Sequence, residues 1–513
     1  MKHPHLQTLH QPKRADADTI QKQQANALRA YLSKVVYPHS PYYHKLFNQI
    51  GFNPENIRSL GDLEQIPFTQ KEDLSPTEDG YNPARDFILT PDTDALRRKP
   101  GVIARALLHG RKNTEEALDR EFRPIFMTST TGRSAEPTPF FYTNHDLEQL
   151  KTAGARLLEL GEYQKDDRIL NMFPYAPHLA YWLVHYAARA RNLFCVATGG
   201  GKVMGTEGNL RMLKKVKPTI LVGMPTFVYH VLHAALDEKA SVESLRFIVL
   251  GGEKVPAGTR RKLAAMAEKL GATAPRVMST YGFTEAKLAY GETPIRGGET
   301  STGYFTYPDL GIIEVVDPES GRAQPPGQGG EIVYTPLQAR GTVVLRYRTG
   351  DYIENGLVYE PCPRTGITYP RLSGKISRVS DIRPMQLRKL KGTLVDFNHL
   401  EHLLDNLSGI GTWQLELRKV NDDPLELDEL ILHLSADGSR SEEDLCKDVK
   451  EQFIEKMEIA PNRIDVHDAA AMRTMQKVGD VMKEEKIVDH RNTTVKQPES
   501  SSQPETSTYQ NAS

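Results

Sequence analysis

The chain has 513 residues, more than one ordinary domain holds, so we expect two or more domains. Its 65 lysines and arginines balance 66 aspartates and glutamates, which argues against a dedicated nucleic-acid or membrane-surface protein. No stretch approaches the roughly 18 apolar residues of a membrane span. Three widely separated cysteines form no C-x-x-C pair, so we predict reduced thiols in a soluble, cytoplasmic protein rather than a disulfide framework or a zinc site.

The first part of the chain has weak patterning. Residues 1–24 are polar, and we expect a loose segment there. From Ala27, apolar residues recur at helical spacing, and Pro38 and Pro41 should break that helix. Residues 81–122 are charged and poorly patterned, so we predict an insertion or a mixture of helix and loop.

From about residue 145, predicted strands alternate with predicted helices. Each strand ends in a loop that contains Gly or Pro. The strands are "DRILNMFP", "LFCVATGGG", "TILVGMP", "LRFIVLGGE" and "RVMSTYG". This alternation predicts an α/β layer with a mainly parallel sheet, in which ligands gather at the carboxyl ends of the strands.

The pattern changes twice in the second half of the chain. After residue 303, "LGIIEVVD", "GGEIVYTPL" and "GTVVLRYRTGD" predict a small β subdomain. We therefore assign residues 25–374 to a large α/β domain and residues 375–392 to a charged junction. Residues 393–493 read as a smaller α+β domain, and residues 494–513 as a disordered tail.

The run "TSTTGR", residues 128–133, is the first stretch along the chain that suggests a binding site. Consecutive hydroxyl residues disfavour a helix and suit a loop whose amides and hydroxyls hold an anion such as phosphate. The run contains no G-x-x-x-x-G-K-[ST] motif. Taken alone, it is equally well explained as a Ser/Thr-rich surface turn.

Three further sequence motifs follow predicted strands. "VLGGEKVP" places Gly251, Gly252 and Glu253 where the backbone can approach a flat ligand. "STYGFTEA" supplies an aromatic ring, a hydroxyl and a carboxylate at Tyr281, Thr284 and Glu285, and "YRTGD" supplies a carboxylate at Asp351. Each of these motifs, like the "TSTTGR" run, can be explained as an ordinary turn. All four in this order at strand ends indicate a nucleotide site.

This ordered set resembles the adenylate-forming enzymes, and within that superfamily the phenylacetate–CoA ligase family. The resemblance covers about residues 25 to 491. Besides the words above, it includes "SPYYHKLF", "NPENIRSLGDLEQIPFTQKEDL", "GIIEVVDPESG" and the final "KEEKIVDHR". It implies the adenylate-forming enzyme fold, which has a large α/β domain with a small β subdomain and a smaller α+β C-terminal domain that rotates between half-reactions.

The resemblance implies a role for each matching position. The loop Ser129, Thr130, Thr131, Gly132 and Arg133 would grip the β- and γ-phosphates of ATP. The strand end Gly251, Gly252 and Glu253, together with Tyr281 and Gly282, would form the adenine pocket. Thr284 would contact the α-phosphate, Glu285 would hold Mg²⁺, Asp351 would bind the ribose, and Lys483 would contact the transferring phosphate and the substrate carboxylate.

The chain departs from the family pattern at three places. In the phosphate loop, Ser129 replaces a glycine and Arg133 replaces a lysine, which leaves open a slow, altered or inactive adenylation step. At the junction, Lys375 or Arg378 stands for the family's arginine, with Asp381 as the hinge and Gly392 in the loop that lines the CoA channel. Near the C-terminus, Lys477 is a rival of Lys483, and Lys483 can also be read as plain surface charge.

The stretch "FPYAPHLAYWLVHY" matches the place where relatives build the acyl pocket. Tyr175, His178 and Tyr181 are the candidate lining residues, whereas Trp182 is better explained as a core residue of a helix. We find no Ser-His-Asp arrangement and no metal-binding histidine cluster in the sequence.

We therefore predict an acid–thiol ligase that uses ATP and Mg²⁺ to make an acyl-adenylate and then passes the acyl group to CoA. Two alternatives stay open. The acceptor can instead be a carrier-protein thiol or another nucleophile, or the chain can be a degenerate nucleotide binder without catalysis. The resemblance favours an aryl or arylacetic acid as the substrate, and it is compatible with a homodimer.

Overall fold

The structure is a computed structural model that describes residues 16–76, 81–98, 100–130, 137–296, 299–379, 387–390, 393–419, 428–457, 459–478 and 486–490. The chain divides after Gln386 into a large unit and a smaller unit, and the described segments 401–407 and 477–478 group with the large one. The predicted junction, residues 375–392, contains this boundary. Its first part nevertheless belongs to the large unit, because Ile376–Arg378 is a strand of a sheet in that unit.

The N-terminal helices begin earlier than predicted. The first helix, α1 (Ala17–Tyr31), starts within the segment expected to be loose, because the Asp16 carboxylate accepts a hydrogen bond from the Thr19 amide and caps it. The chain continues through a π-helical turn (Leu32–Val36) into α2 (Tyr37–His39) and α3 (Pro41–Ile50). Pro38 does not break the helix as predicted, because it lies in the first turn of α2, where proline is tolerated.

Short helices follow up to residue 122. Four of them are 3₁₀ turns, at Pro54–Asn56, Leu60–Gln65, Glu72–Leu74 and Pro83–Arg85. The predicted mixture of helix and loop over residues 81–122 contains α4 (Thr93–Arg97), α5 (Pro100–His109) and α6 (Arg111–Phe122).

The large unit then alternates strands and helices as the sequence predicts. The elements are β1 (Phe126–Ser129), β2 (Pro139–Tyr142), α7 (Asn144–Leu160), β3 (Arg168–Asn171), α8 (Leu179–Arg191), β4 (Phe194–Ala197), α9 (Gly200–Val216), β5 (Ile220–Gly223), α10 (Pro225–Asp237), β6 (Phe247–Leu250), α11 (Ala257–Lys269) and β7 (Arg276–Phe283). Strands β7, β6, β5, β3 and β4 lie side by side and are parallel, which confirms the predicted parallel sheet.

Antiparallel strands extend this sheet and form a second one. These strands are β8 (Leu288–Gly291), β9 (Tyr304–Phe305), β10 (Gly311–Val316), β11 (Gly330–Pro336), β12 (Tyr347–Ile353), β13 (Leu357–Val358), β14 (Arg371–Leu372) and β15 (Ile376–Arg378). The long sheet has the order β13-β14-β9-β8-β7-β6-β5-β3-β4, and the small sheet has the order β10-β11-β12-β15. The predicted β segment 341–351 forms a strand only from Tyr347, because Arg346 takes a left-handed backbone with φ 47°.

The core lies on both faces of the parallel sheet. Alternate residues of β5, such as Leu221 and Ile220, point to opposite faces. Leu221 packs with Val228 of α10 and Leu263 of α11, whereas Ile220 packs with residues of α7 and α8. Because both faces are covered, the strand ends and their loops are left as the places where a ligand can approach.

The smaller unit is an α+β structure, as predicted. Along the chain from Leu387 lie β16 (Leu387–Leu390), β17 (Thr393–Asp396), α12 (Phe397–Asn406), β18 (Ile410–Lys419), β19 (Asp428–Ala436), α13 (Glu442–Met457), β20 (Arg463–Val466), α14 (Ala469–Met475) and β21 (Ile487–Asp489). Its main sheet has the order β20-β19-β18-β21, in which β18 and β19 are antiparallel and both outer strands are parallel to their neighbours. Among the described helices of the whole chain, none is long and apolar enough to span a bilayer.

Candidate functional site

Two carboxylates define the candidate site, and each is held by a tyrosine. Glu285 follows β7 directly, in a short 3₁₀ turn that begins at Thr284. The Tyr347 hydroxyl donates to Glu285 Oε1 at 2.7 Å, and the Tyr281 hydroxyl donates to Asp351 Oδ2 at 3.0 Å. Since Tyr281 is on β7 and Tyr347 and Asp351 are on β12, the two hydrogen bonds link the end of the parallel sheet to the small sheet.

The electrostatics of Glu285 reflect its surroundings. Burial raises the pKa of Glu285, and the hydrogen bond from Tyr347 opposes that rise. The negative charge of Asp351 raises the Glu285 pKa further, so the two carboxylates act on each other. A cation placed beside Glu285 would offset both unfavourable effects.

The position of Asp351 separates the two candidates for the family's arginine. Asp351 and Arg378 are register partners on β12 and β15, and Arg378 Nη1 lies 3.2 Å from Asp351 Oδ1. Lys375 instead pairs with Glu354. The Glu354 amide donates to the Lys375 carbonyl at 3.1 Å, and the Lys375 amide donates to the Glu354 carboxylate at 3.2 Å. The structure therefore brings Arg378, and not Lys375, to the carboxylate predicted to bind ribose.

Close contacts and backbone conformation explain why glycines stand at the end of β6. Gly251 donates its amide to the Gly223 carbonyl at 3.3 Å, and a Cβ on Gly251 would collide with the Thr280 hydroxyl of β7. Gly252 has φ 82°, in the left-handed region that favours glycine. The Glu253 carboxylate accepts from the Thr226 hydroxyl at 3.0 Å, at the start of α10. The strand end is therefore a close-packed backbone edge.

Gly282 lies on β7 next to Tyr281. Its partner across the strand pair is Ala289 of β8, and a Cβ on Gly282 would press on the Ala289 methyl group at 2.7 Å. The small residues at both positions let β7 and β8 pack closely behind the Tyr281 ring.

The beginning of the hydroxyl-rich loop is anchored to the loop after β3. The Ser129 amide donates to the Pro177 carbonyl at 2.6 Å, and His178 Nδ1 donates to the Ser129 carbonyl at 3.2 Å. The Thr130 side chain accepts from the Thr138 amide at 3.0 Å, which closes the base of the loop. Thr131, Gly132 and Arg133 lie outside the described residues.

Two residues predicted to line the acyl pocket, Tyr175 and Tyr181, lie in an aromatic cluster. Tyr175 is exposed and meets Tyr181 edge-on, with ring centroids 5.0 Å apart. Trp182 contacts Tyr175, Tyr181 and Phe126, and its buried Nε1 donor has no hydrogen-bond partner among the described residues. Trp182 lies on α8 with its indole nitrogen buried, and the expectation that it is a core residue of a helix stays a prediction.

His178 joins the cluster to the loop. Burial lowers the pKa of His178, so the ring is neutral at physiological pH and its Nδ1–H can donate to Ser129. The hydrogen bond to Ser129 lets His178 hold the start of this loop, whereas its predicted place in the acyl pocket stays a prediction.

The remaining predictions concern the junction and the C-terminal lysines. Lys483, Asp381 and Gly392 lie outside the described residues, so their roles stay predictions. The rival Lys477 is exposed and has a left-handed backbone with φ 53°.

Sequence reasoning missed three residues of the site. Tyr347 is the first residue of the quoted motif "YRTGD", from which only the aspartate was assigned a role. The Tyr142 hydroxyl is hydrogen-bonded to the Thr128 hydroxyl at 3.0 Å. Burial raises the pKa of Tyr142, and the negative charge of Glu285 adds to that rise. Phe126 packs on Trp182. The last two carry no signal beyond apolar strand patterning.

Comparisons with known proteins find similar sequences and a similar fold. A family model described as AMP-binding enzyme matches residues 142–341. The phenylacetate-coenzyme A ligase of Thermus thermophilus is 27% identical over 384 residues, which cover 74% of this chain and 74% of that protein. The phenylacetate-coenzyme A ligase of Escherichia coli is 25% identical over 391 residues, which cover 75% of this chain and 78% of that protein.

A solved structure shares the fold. It is the crystal structure of 2-hydroxyisobutyryl-CoA ligase in the postadenylation state in complex with R3-HIB-AMP. It superposes with a TM-score of 0.72 at 20% identity and covers 94% of this chain and 91% of that chain.

Proposed function

This chain belongs to the adenylate-forming superfamily and is phenylacetate–CoA ligase-like, and on that premise we propose that it is an AMP-forming acyl-CoA ligase. It activates a carboxylic acid with ATP to an acyl-adenylate and then transfers the acyl group to the CoA thiol. The observation that carries the proposal is the pair of tyrosine-held carboxylates, Glu285 and Asp351, where the parallel sheet meets the small sheet.

The reaction needs activation because a carboxylate is negatively charged and stabilised by resonance. Attack of its oxygen on the α-phosphorus of ATP breaks the bond to pyrophosphate and forms the acyl-adenylate. The CoA thiol then attacks the acyl carbon and AMP leaves. The protein's part in both steps is to position the reactants and to stabilise charge on the phosphoryl oxygens.

The nucleotide is proposed to lie along the strand ends. Asp351, held by Tyr281 and Arg378, accepts hydrogen bonds from the ribose hydroxyls. The close-packed edge at Gly251 and Gly252 leaves room for the flat adenine, with Tyr281 as its aromatic neighbour. The family resemblance assigns the phosphates to the loop that starts at Ser129.

Glu285 fits the requirements of a Mg²⁺ ligand. Carboxylate oxygens are the ligands this ion prefers, and Glu285 is fixed at Oε1 by Tyr347 beside the α-phosphate candidate Thr284. When bound, Mg²⁺ would neutralise charge on the ATP phosphates. The protein's own contribution is to hold the carboxylate in place, and the pKa-raising effects of burial and Asp351 favour a cation there.

The aromatic cluster is proposed to receive the acid. Tyr175, Tyr181 and Trp182 present ring edges and faces, and such surfaces favour an aromatic acyl group over a short aliphatic one. The unpartnered Trp182 Nε1 offers a hydrogen bond to a polar atom of the acid. An aryl or arylacetic acid is therefore the substrate class that we propose.

Compartment and assembly are part of the proposal. All three cysteines are free thiols, which suits the reducing cytoplasm, where ATP and CoA are also available. A homodimer is the assembly that the family resemblance favours.

The decisive experiment is acid-dependent ATP–pyrophosphate exchange. Aryl, arylacetic, medium-chain and long-chain carboxylates are screened with the wild type, with Glu285→Gln and with Glu207→Gln. The last variant is the matched control, because the Glu207 side chain is 92% exposed. We expect exchange with one acid class, lost by about 10²-fold or more in Glu285→Gln and kept in the control.

The second step is tested with the acid that supports exchange. CoA is added and the thioester is detected by mass spectrometry. Exchange without thioester contradicts the CoA assignment and favours a carrier-protein thiol or another nucleophile as acceptor. ATP binding without exchange for any acid contradicts the ligase assignment and favours a nucleotide binder without catalysis.

A further inference from the structure

One face of the sheet in the smaller unit carries an unusual group of side chains. His433 on β19 is the register partner of Asp465 on β20, and His467 follows Asp465 by two residues, so all three side chains emerge on the same face. Glu416 on β18 reaches the same group. No sequence motif indicates this cluster, because His433 and His467 are 34 residues apart and meet only through the parallel pairing of β19 and β20.

The three side chains on β19 and β20 point ligand atoms at one another. His433 Nδ1 lies 3.1 Å from His467 Nε2 and 3.6 Å from Asp465 Oδ2. All three ligand atoms lie within 4.8 Å of one another. Two ligands about 2.0–2.1 Å from a tetrahedral metal ion are about 3.3 Å apart. The spacing around His433 therefore already approaches that of a metal site.

A carboxylate on the far side of the His433 ring fixes its orientation. Glu416 Oε2 lies 3.0 Å from His433 Nε2, so this nitrogen carries the hydrogen that it donates to Glu416. The neutral ring then presents the lone pair of Nδ1 to Asp465 and His467. A carboxylate that orients a histidine from behind is the usual outer partner of a metal-binding imidazole.

The burial of His433 and the partial exposure of Asp465 both suit a metal ion. The His433 side chain is only 6% exposed, whereas that of Asp465 is 27% exposed, so the site has a fixed base and an open side. Water can supply the fourth ligand from that side. Arg463 Nε donates to Asp465 Oδ2 at 2.8 Å, which holds the carboxylate, while its positive charge opposes a cation.

We propose that His433, Asp465 and His467 form a site for a divalent transition-metal ion, with Zn²⁺ as the best match. Two imidazole nitrogens and one carboxylate oxygen are donors that Zn²⁺ accepts readily, whereas Mg²⁺ and Ca²⁺ prefer all-oxygen ligand sets. The ion ties β20 to β19. None of its three residues is among those assigned to ATP or to the Mg²⁺ proposed at Glu285.

The test is a Co²⁺ titration of the full-length protein after treatment with a chelator and dialysis. Co²⁺ reports its geometry through visible absorption bands that are much stronger in tetrahedral than in octahedral sites. We expect strong bands that saturate near one Co²⁺ per chain and disappear when Zn²⁺ is added. Zn²⁺ should also raise the Tm of the protein.

Three variants assign the ligands, and circular dichroism checks that each is folded. His467→Ala and Asp465→Asn remove ligands on the more exposed strand and should weaken binding by at least 10-fold. Glu416→Gln keeps the shape of the side chain and should weaken it by about 10–100-fold, the usual effect of losing an outer partner.

The matched control is His233→Ala, which removes a histidine that has an aspartate partner, Asp237, on a surface helix. This variant should bind Co²⁺ like the wild type. Only octahedral absorption in the wild type, or unchanged tetrahedral bands in folded His467→Ala and Asp465→Asn, would overturn the proposal.

Discussion

At the scale of single residues, the candidate site is organised by hydroxyl groups that hold carboxylates. Tyr347 and Tyr281 each donate one hydrogen bond to a carboxylate on a different element. A hydrogen bond to a charged group is worth about 1.5–3 kcal/mol and also fixes its direction. The sequence motifs predicted Glu285, Asp351 and Tyr281 as site residues. Which carboxylate each tyrosine binds depends on how β12 lies beside β7, and no local sequence pattern encodes that arrangement.

Tyr347→Phe tests whether orientation of Glu285 matters to the reaction. The substitution keeps the ring and removes the hydroxyl that donates to Glu285. We expect the apparent KM for Mg²⁺ in ATP–pyrophosphate exchange to rise by about 10–100-fold, because the ligand loses its outer partner. Tyr352→Phe, on the same strand, is the control. An unchanged Mg²⁺ requirement in Tyr347→Phe would show that Glu285 needs no such support.

Arg378→Gln and Lys375→Gln separate the two candidates for the family's arginine. Arg378 faces Asp351, but its side chain is 55% exposed, so the interaction is screened by solvent and salt. We expect a rise of about 3–10-fold in KM for ATP with Arg378→Gln at low salt, shrinking as salt increases. Lys375→Gln should leave KM for ATP unchanged, since that residue pairs with Glu354 through its backbone. The reverse ranking of the two variants contradicts the assignment.

At the scale of elements, strong periodicity was predictive and short pairings were not. The five parallel strands were found because each is an apolar run between a helix and a Gly or Pro loop. The two-residue strands β9, β13 and β14 are too short to carry a period. The start of α1 was missed because its first residues are polar and its cap, Asp16, lies among similar residues.

Gly251→Ala tests how tightly the β6 and β7 strand ends are packed. The added Cβ would collide with the Thr280 hydroxyl, which itself donates to the Leu250 carbonyl at 3.0 Å. We expect destabilisation of about 1–3 kcal/mol, the usual cost of overpacking. ATP affinity should fall by at least 10-fold, as measured by calorimetric titration.

The double variant Gly251→Ala/Thr280→Ala distinguishes collision from other causes. Removing the hydroxyl leaves the new Cβ at ordinary contact distance, 3.8 Å, from the Thr280 Cβ. The double variant should therefore recover ATP affinity relative to Gly251→Ala. If it binds ATP no better, the glycine is needed for a reason other than the contact with Thr280.

At the scale of the whole molecule, the sequence predicted a large α/β unit and a smaller α+β unit, and the chain does divide after Gln386. Composition indicated where the boundary between the two units lies, because the junction is charged and is flanked by apolar segments. The histidine cluster on β19 and β20 could not be foreseen, since it depends on which strands of the smaller unit pair in parallel. The role of Lys483 rests on the family resemblance alone.

Lys483→Ala and Lys477→Ala decide which C-terminal lysine takes part in adenylation. The resemblance implies that Lys483 contacts the transferring phosphate and the substrate carboxylate, where an ammonium group stabilises developing charge. We expect Lys483→Ala to lower acid-dependent ATP–pyrophosphate exchange by about 10²–10³-fold, the effect of losing one such charge-stabilising group. Lys477→Ala should remain within a few-fold of the wild type, because the resemblance assigns that role to Lys483 and makes Lys477 only its rival.

The same pair of variants tests the two half-reactions separately. Thioester formation from a synthetic acyl-adenylate and CoA bypasses the first step, so Lys483→Ala should retain it. Equal loss in both half-reactions would indicate damage to the fold rather than a missing charge, and circular dichroism of the variant checks this. A larger loss of exchange in Lys477→Ala than in Lys483→Ala would reassign the role to Lys477, because only the lysine that reaches the phosphate can stabilise its charge.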